Sequence, residues 1–204
     1  MNNSENNDDL IDCNIYAKVP YSALTNMEEH TKKTMILAFS SILESTKNIS
    51  STIVFDIIKD IPDICKMHHD SCENTKIRMR TFNKNHPIRP IRGQIYNAYI
   101  TTGVGKELKK NHPVVIIQNL KANIFSEKVN VLPIEGDGNI INKIYAEQIC
   151  SNDVIEGKLD KIPSRVITSD ILTIDKARLG RLIGKLSEEK MHLISEKVKK
   201  QLEL

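Results

Sequence analysis

The segment His86-Pro87-Ile88-Arg89-Pro90 places two prolines within four residues. Each proline fixes φ and lacks a backbone donor, and each pushes the residue before it out of the helical region. A helix cannot run through such a segment. The apolar residues on its two sides repeat with different periods, so the chain divides here into a helical part and a strand-rich part.

From Tyr21 to about Asn83 the spacing predicts helices. Met27, Met35, Phe39, Ile42 and Leu43 share one face of a first helix, with Lys32, Lys33 and Glu44 toward solvent. Asn48 to Ser51 reads as a break. Val54, Ile57, Ile58 and Ile61 then recur at helical spacing, and Ile64, Cys65 and His68 continue the series. Pro62 lies inside this run and predicts a kink or a restart. The expectation is a helical hairpin, too small to be stable alone and so packed on something else. Residues Met1 to about Lys18 are polar and acidic and are expected to form a disordered tail. The expected plan is a tail at 1–18, a helical extension at 19–86 and a folded domain at 89–204.

Beyond Arg92, short runs rich in Ile, Val and Tyr alternate with polar loops. Gly93–Thr101, Pro113–Gln118, Val129–Ile134, Lys143–Cys150 and Ser164–Thr168 read as strands. Gly136-Asp137-Gly138-Asn139 is a turn signal between two of them. Thr173–Leu182 is expected to form a short helix. The last helix is well marked. Ser187 is its N-cap, Glu188 and Glu189 fill the first turn, and Met191, Ile194, Val198 and Leu202 form an apolar face. Short strands with turns and a closing helix predict an α+β fold built on a small barrel.

A chain of 204 residues can bury a core in one or two domains. Its net charge of +3 neither demands nor excludes nucleic acid; local clustering of Lys and Arg decides that. No apolar run nears the roughly 20 residues that span a bilayer, so no membrane partner is expected. Four cysteines without a secretory leader are expected to be reduced thiols in a cytoplasmic protein.

Three motifs were weighed on their chemistry. Gly103-Val104-Gly105-Lys106 fails as a phosphate loop, because Ile100 stands where its first glycine belongs and Glu107 where its hydroxyl residue belongs. It reads instead as a mobile basic loop, with Lys106, Lys109 and Lys110 able to attract phosphate. Cys65, His68, His69 and Cys72 share a helix face, but one straight helix spreads them over about 10 Å. Such a line cannot wrap one ion tetrahedrally, so a semi-polar packing face is expected and no metal or other cofactor. Lys76, Arg78, Arg80, Lys84, Arg89 and Arg92 form a basic run read by default as a solvated face.

From Arg92 to Leu179 a series of short elements resembles the MazF/PemK toxins of bacterial toxin–antitoxin modules. They are Arg92-Gly93-Gln94-Ile95-Tyr96, Gly105-Lys106-Glu107, the strand Pro113–Asn119, Asn123-Ile124-Phe125-Ser126, Val131-Leu132-Pro133-Ile134 and Thr173–Leu179, in that order. Gly184-Lys185-Leu186-Ser187 continues the last of them. The resemblance implies a small SH3-like β-barrel with a C-terminal helix over about 89–204, here preceded by the helical hairpin. It also implies a homodimer, a cognate antitoxin as partner and metal-independent endoribonuclease cleavage of single-stranded RNA such as mRNA. In that reaction the 2′-OH attacks the adjacent phosphate.

The family's catalytic Arg position falls on His112 and its Thr or Ser position on Glu135. These two are the candidate catalytic pair, with Glu135 as base and His112 as acid. Lys106 or Lys110 is the candidate for charge stabilisation. Lys106, Glu107, Lys110 and Asn119 are the candidate RNA contacts, and Tyr96 and Phe125 either stack on bases or pack in the core. Two alternatives are a catalytically inactive module binding RNA or an antitoxin-like protein, and a barrel of the same kind that poisons a topoisomerase. Under the endoribonuclease reading the added helices are expected to cover the groove, enlarge the dimer or act as a fused inhibitor.

Overall fold

The computed structural model describes residues 28–47, 50–138 and 144–204. The expected tail at 1–18, and Met27 of the first helix, lie outside these residues. The chain divides into two units, Met1–Ile49 and Ser50–Leu204.

In the first unit α1 spans Glu29–Ser45 and buries none of its residues. The apolar face expected there (Met35, Phe39, Ile42 and Leu43) is exposed.

The second unit begins with α2, Ser51–Thr81. Thirty-one residues at a rise of about 1.5 Å make it roughly 46 Å long. The helix continues through Pro62, which neither ends nor restarts it. It stops at Phe82, whose left-handed backbone at φ 51° closes the last turn. Neither helix meets the length and apolarity of a membrane span among the described residues.

Eight antiparallel strands follow: β1 Gln94–Ile100, β2 Lys110–Ile116, β3 Lys128–Glu135, β4 Ala146–Ile149, β5 Val154–Gly157, β6 Ser164–Ile167, β7 Leu172–Asp175 and β8 Leu179–Leu186. Their order is β4-β6-β3-β2-β1-β8-β5, with β7 also on β3. β3 changes neighbour along its length. Lys128–Val131 pairs with β7, and Ile134 and Glu135 pair with β6. One strand shared in this way curls the sheet into the small barrel. The arrangement of a barrel, a C-terminal helix and N-terminal helices is the expected one.

The strand faces separate two apolar clusters, as period-2 alternation requires. Ile95, Val115, Leu132, Ile134, Ile149 and Val166 pack with Leu186, Met191 and Ile194, the last two from α4, Glu188–Gln201. Ala98, Val114, Ile116, Val129, Val131 and Ile174 form the second cluster. Each such side chain contributes about 1.5–3 kcal/mol on burial. Ser187 caps α4 as expected, its hydroxyl accepting from the Lys190 amide at 3.2 Å.

Thr173–Leu182 is not a helix. It is β7, a single 3₁₀ turn at Lys176–Arg178 and the start of β8. Pairing of Leu172–Asp175 with β3 overrides the local preference of this polar segment. Two further elements carried no sequence signal: β5, and a short helix α3 at Leu120–Phe125.

α2 is fastened to the strands at three levels. Asp60 accepts from the Tyr99 hydroxyl at 2.7 Å and from Thr102. Ser71 donates to Asp175 at 2.9 Å. Arg78 pairs with Glu127 and donates to the Lys84 carbonyl at 2.7 Å.

Candidate active site

β2 and β3 pair with Val114 opposite Pro133, Val115 opposite Leu132 and Ile116 opposite Val131. That ladder ends two residues short of His112 and Glu135. On the other side of β3, Glu135 is opposite Arg165 of β6. His112 and Glu135 meet at one cavity, and Arg165 holds Glu135 from the neighbouring strand.

Arg165 Nε donates to Glu135 Oε2 at 2.9 Å, and its Nη2 reaches the same oxygen. The guanidinium thus orients and neutralises the carboxylate. His112 Nδ1 lies 3.1 Å from the Lys109 carbonyl. A carbonyl only accepts, so the proton is assigned to Nδ1, and Nε2 is the nitrogen that exchanges protons with a ligand. His112 and Glu135 line one cavity of about 410 Å³, with Asn111, Asp160, Lys161 and Ser164 on its rim. An imidazole and a carboxylate on one cavity are groups able to serve as acid and base, and Arg165 stands behind Glu135 outside the cavity lining.

The turn after β3 shapes this cavity through close approach. A Cβ on Gly136 would lie 2.5 Å from the Lys161 Cδ, and one on Gly138 would lie 2.5 Å from both the Pro163 backbone and the Ser164 carbonyl. Neither glycine has a positive φ. They are needed because the segment Lys161–Ser164 crosses directly over them. Gly138 also donates its amide to the Pro163 carbonyl at 3.0 Å.

The other candidates are placed differently. Glu107 closes its own loop: its Oε2 accepts from the Val104 amide at 2.8 Å. Asn119 caps α3, accepting from the Ala122 amide at 2.9 Å, and lies beyond the far end of β2 from His112. Lys106 and Lys110 do not line the cavity. Lys110 begins β2 with φ at 68° and bears electrostatically on Asp60 instead. Tyr96 packs against the second cluster, which favours its core role, and Phe125 is partly exposed on α3. In the basic run, Arg78 and Arg92 have internal partners, Arg92 donating to the Ser195 hydroxyl at 2.6 Å.

Cys65 is exposed and Cys72 partly so, with its Sγ 3.7 Å from His68 Nε2, so this face is not a packed one. Among the described residues no cluster of three or more His, Cys, Asp or Glu side chains is placed to hold a metal ion.

The sequence reading missed Arg165, Asp160 and Lys161. The only signal was the concentration of Lys158, Lys161 and Arg165 around Pro163.

The motif residues near α3 and β7 serve the fold. Lys176 is fully buried and donates to the Asn123 carbonyl at 2.6 Å. Its burial, with Arg78 adding to it and Glu127 opposing, pushes the ammonium pKa down to about 8. Asp175 accepts from the Ala177 amide at 2.8 Å, and Arg178 donates to the Tyr99 carbonyl at 3.2 Å. Buried His86 contacts Glu127 at 2.9 Å, and burial holds its pKa below the ordinary histidine value.

A small antiparallel barrel closed by a C-terminal helix, with a cavity where β2 begins and β3 ends, is the architecture the chain presents. The chain belongs to the family of PemK-like, MazF-like toxins of type II toxin–antitoxin systems, whose model matches residues 91–202. An endoribonuclease MazF from Staphylococcus saprophyticus is 35% identical over 107 residues, 52% of this chain and 86% of that protein. A MazF structure from Deinococcus radiodurans aligns with a TM-score of 0.44 at 11% identity, covering 56% of this chain and 97% of that one. An endoribonuclease in complex with its cognate antitoxin, from a mycobacterial species, aligns with a TM-score of 0.38 at 20% identity, covering 57% and 95%.

Proposed function

We propose that this chain is a metal-independent endoribonuclease that cuts single-stranded RNA in the cavity of His112 and Glu135. It works as the homodimeric toxin of a pair whose cognate antitoxin restrains it. The observation that carries the reading is that His112 and Glu135 line one cavity, with Arg165 holding Glu135 from the next strand. Family membership and similarity to an endoribonuclease supply the substrate class.

In this reaction Glu135 takes the proton of a ribose 2′-OH. The 2′-oxygen attacks phosphorus, and the bond from phosphorus to the departing 5′-oxygen breaks. His112 gives that oxygen its Nε2 proton. The products are a 2′,3′-cyclic phosphate and a 5′-hydroxyl, and one proton has passed to Glu135 while another has left His112. Arg165 brings to the phosphate the guanidinium that position 112 does not supply.

Cleavage of a long mixed-sequence RNA in EDTA tests the reading. Wild type should cut at discrete sites, while His112→Ala and Glu135→Ala, shown to be folded by circular dichroism, should not. The same Arg165–Glu135 pair also favours a second reading, in which it is a cross-strand tie in an inert binding module. RNA left intact by wild type, both as the full chain and in the presence of magnesium, would select that reading.

A further inference from the structure

A second cavity, of about 450 Å³, adjoins the first. Lys158, Arg181 and Leu182 line it, and it shares Asp160 and Ile183 with the His112 cavity. The two adjoin as one groove from His112 and Glu135 across the β5–β6 loop to β8. Three cations border it: Lys161 at the first cavity, Lys158 and Arg181 at the second. Among the described residues no carboxylate forms an ion pair with any of them. Asp160 is the one acid shared by both cavities. Lys161 is held over the groove because its stem lies against Gly136, where a Cβ would displace it. Among the described residues no Phe, Tyr or Trp lines either cavity, and the one aromatic ring is the His112 imidazole of the first.

We infer that Lys158, Lys161 and Arg181 form a phosphate track that holds the RNA strand beyond the scissile bond without reading its bases. This rests on the reading of the His112 cavity as the cleavage site. Unpaired cations along an open groove suit a polyanion whose charges repeat regularly. The lack of Phe, Tyr and Trp rings removes the stacking that grips individual bases. Contacts of this kind weaken binding uniformly across sequences when removed.

The test uses the full chain and a mixed-sequence pool of 2′-O-methyl RNA oligonucleotides, which cannot be cut because the attacking hydroxyl is blocked. Binding is measured against salt for wild type, for the triple variant Lys158→Gln, Lys161→Gln, Arg181→Gln, and for His112→Ala. Each lost phosphate contact should lower the slope of log affinity against log salt by about 0.7. The triple variant should therefore bind at least roughly tenfold more weakly at low salt, with a slope smaller by about 2. His112→Ala should fail to cut unblocked RNA, and adding the triple substitution to it should still weaken binding and lower the salt slope as in wild type. An unchanged slope and affinity in the folded triple variant would overturn the track. So would a triple variant that keeps RNA binding and loses only binding of an acidic peptide. If wild type binds the pool through these residues yet never cuts RNA, the track stands and the catalytic reading falls.

Discussion

Asp60 and Thr102 are joined twice: the Thr102 amide and its hydroxyl both donate to Asp60 Oδ2, at 2.6 and 2.5 Å. A single carboxylate on α2 thereby fixes the point where β1 gives way to the loop carrying Lys106. Burial pushes the Asp60 carboxyl up, but hydrogen bonds from Thr102 and Tyr99, with the charge of Lys110, hold it below the ordinary carboxylate value.

Asp60→Ala should cost about 2–3 kcal/mol of stability, since it strips a charged acceptor from donors at a largely buried position. Urea unfolding measures this, and protease cleavage in the loop between Thr102 and Lys110 should quicken. Because the folded pKa of Asp60 is depressed, its contribution is present above the unfolded value of about 3.9 and is lost as pH falls through the lower folded one. The gap between wild type and Asp60→Ala should therefore close on acidification below about pH 4. A gap that widened there would refute the assignment.

Arg165→Lys should be a poor replacement. A lysine keeps the charge but cannot present two parallel N–H donors to Glu135 and a phosphate. Loss of a preorganised donor of this kind lowers turnover by about 10²–10³-fold. Single-turnover cleavage at saturating RNA should show the fall in the chemical step. A fall confined to KM would make Arg165 a binding residue.

Gly136→Ala and Gly138→Ala should behave differently despite being two residues apart. The new methyl at 138 meets fixed backbone, and overpacking of that kind costs about 1–3 kcal/mol. The nearest atoms to the methyl at 136 belong to the Lys161 side chain, whose Cδ at 2.5 Å can swing away while its Cβ at 3.2 Å need give only slightly. Thermal unfolding should register the first substitution far more than the second. RNA binding should register Gly136→Ala through displacement of the Lys161 ammonium.

Lys176 sets a different pH dependence. Its pKa falls from 10.5 to about 8 on folding, so between those values the unfolded chain binds more protons. Stability then rises with pH across that window. Relative to Lys176→Met, wild type should gain in urea midpoint between about pH 7.5 and 10. The comparison stops there, because Tyr99 donates to Asp60 and its raised pKa makes ionisation above pH 10 destabilising.

The sequence made the local elements plain. β1, β2 and β3 are runs of Ile, Val and Tyr bounded by turn residues, and α4 has a cap, an acidic first turn and an apolar face. What it concealed depends on distant partners. Thr173–Leu182 looks helical until β3 is placed beside it. Arg165 becomes part of the site only because Glu135, thirty residues earlier, is its cross-strand neighbour. Asp60 has no meaning without Thr102. The motifs misled in one respect, because Asn119, Asp175 and Lys176 were legible as a pattern, yet their side chains cap a helix, cap a turn and fill the interior. His112 and Glu135 have ties of their own, to the Lys109 carbonyl and to Arg165, but both also line a cavity.

The pairing of β1 with β8 bears on the timing of synthesis. Gln94 lies opposite Lys185 and Ala98 opposite Leu179, so the first strand waits for the eighth. Until the ribosome has delivered that strand, β1 has a bare edge and the barrel cannot close. The fold is completed only after β8 has emerged, whatever the earlier strands have already paired.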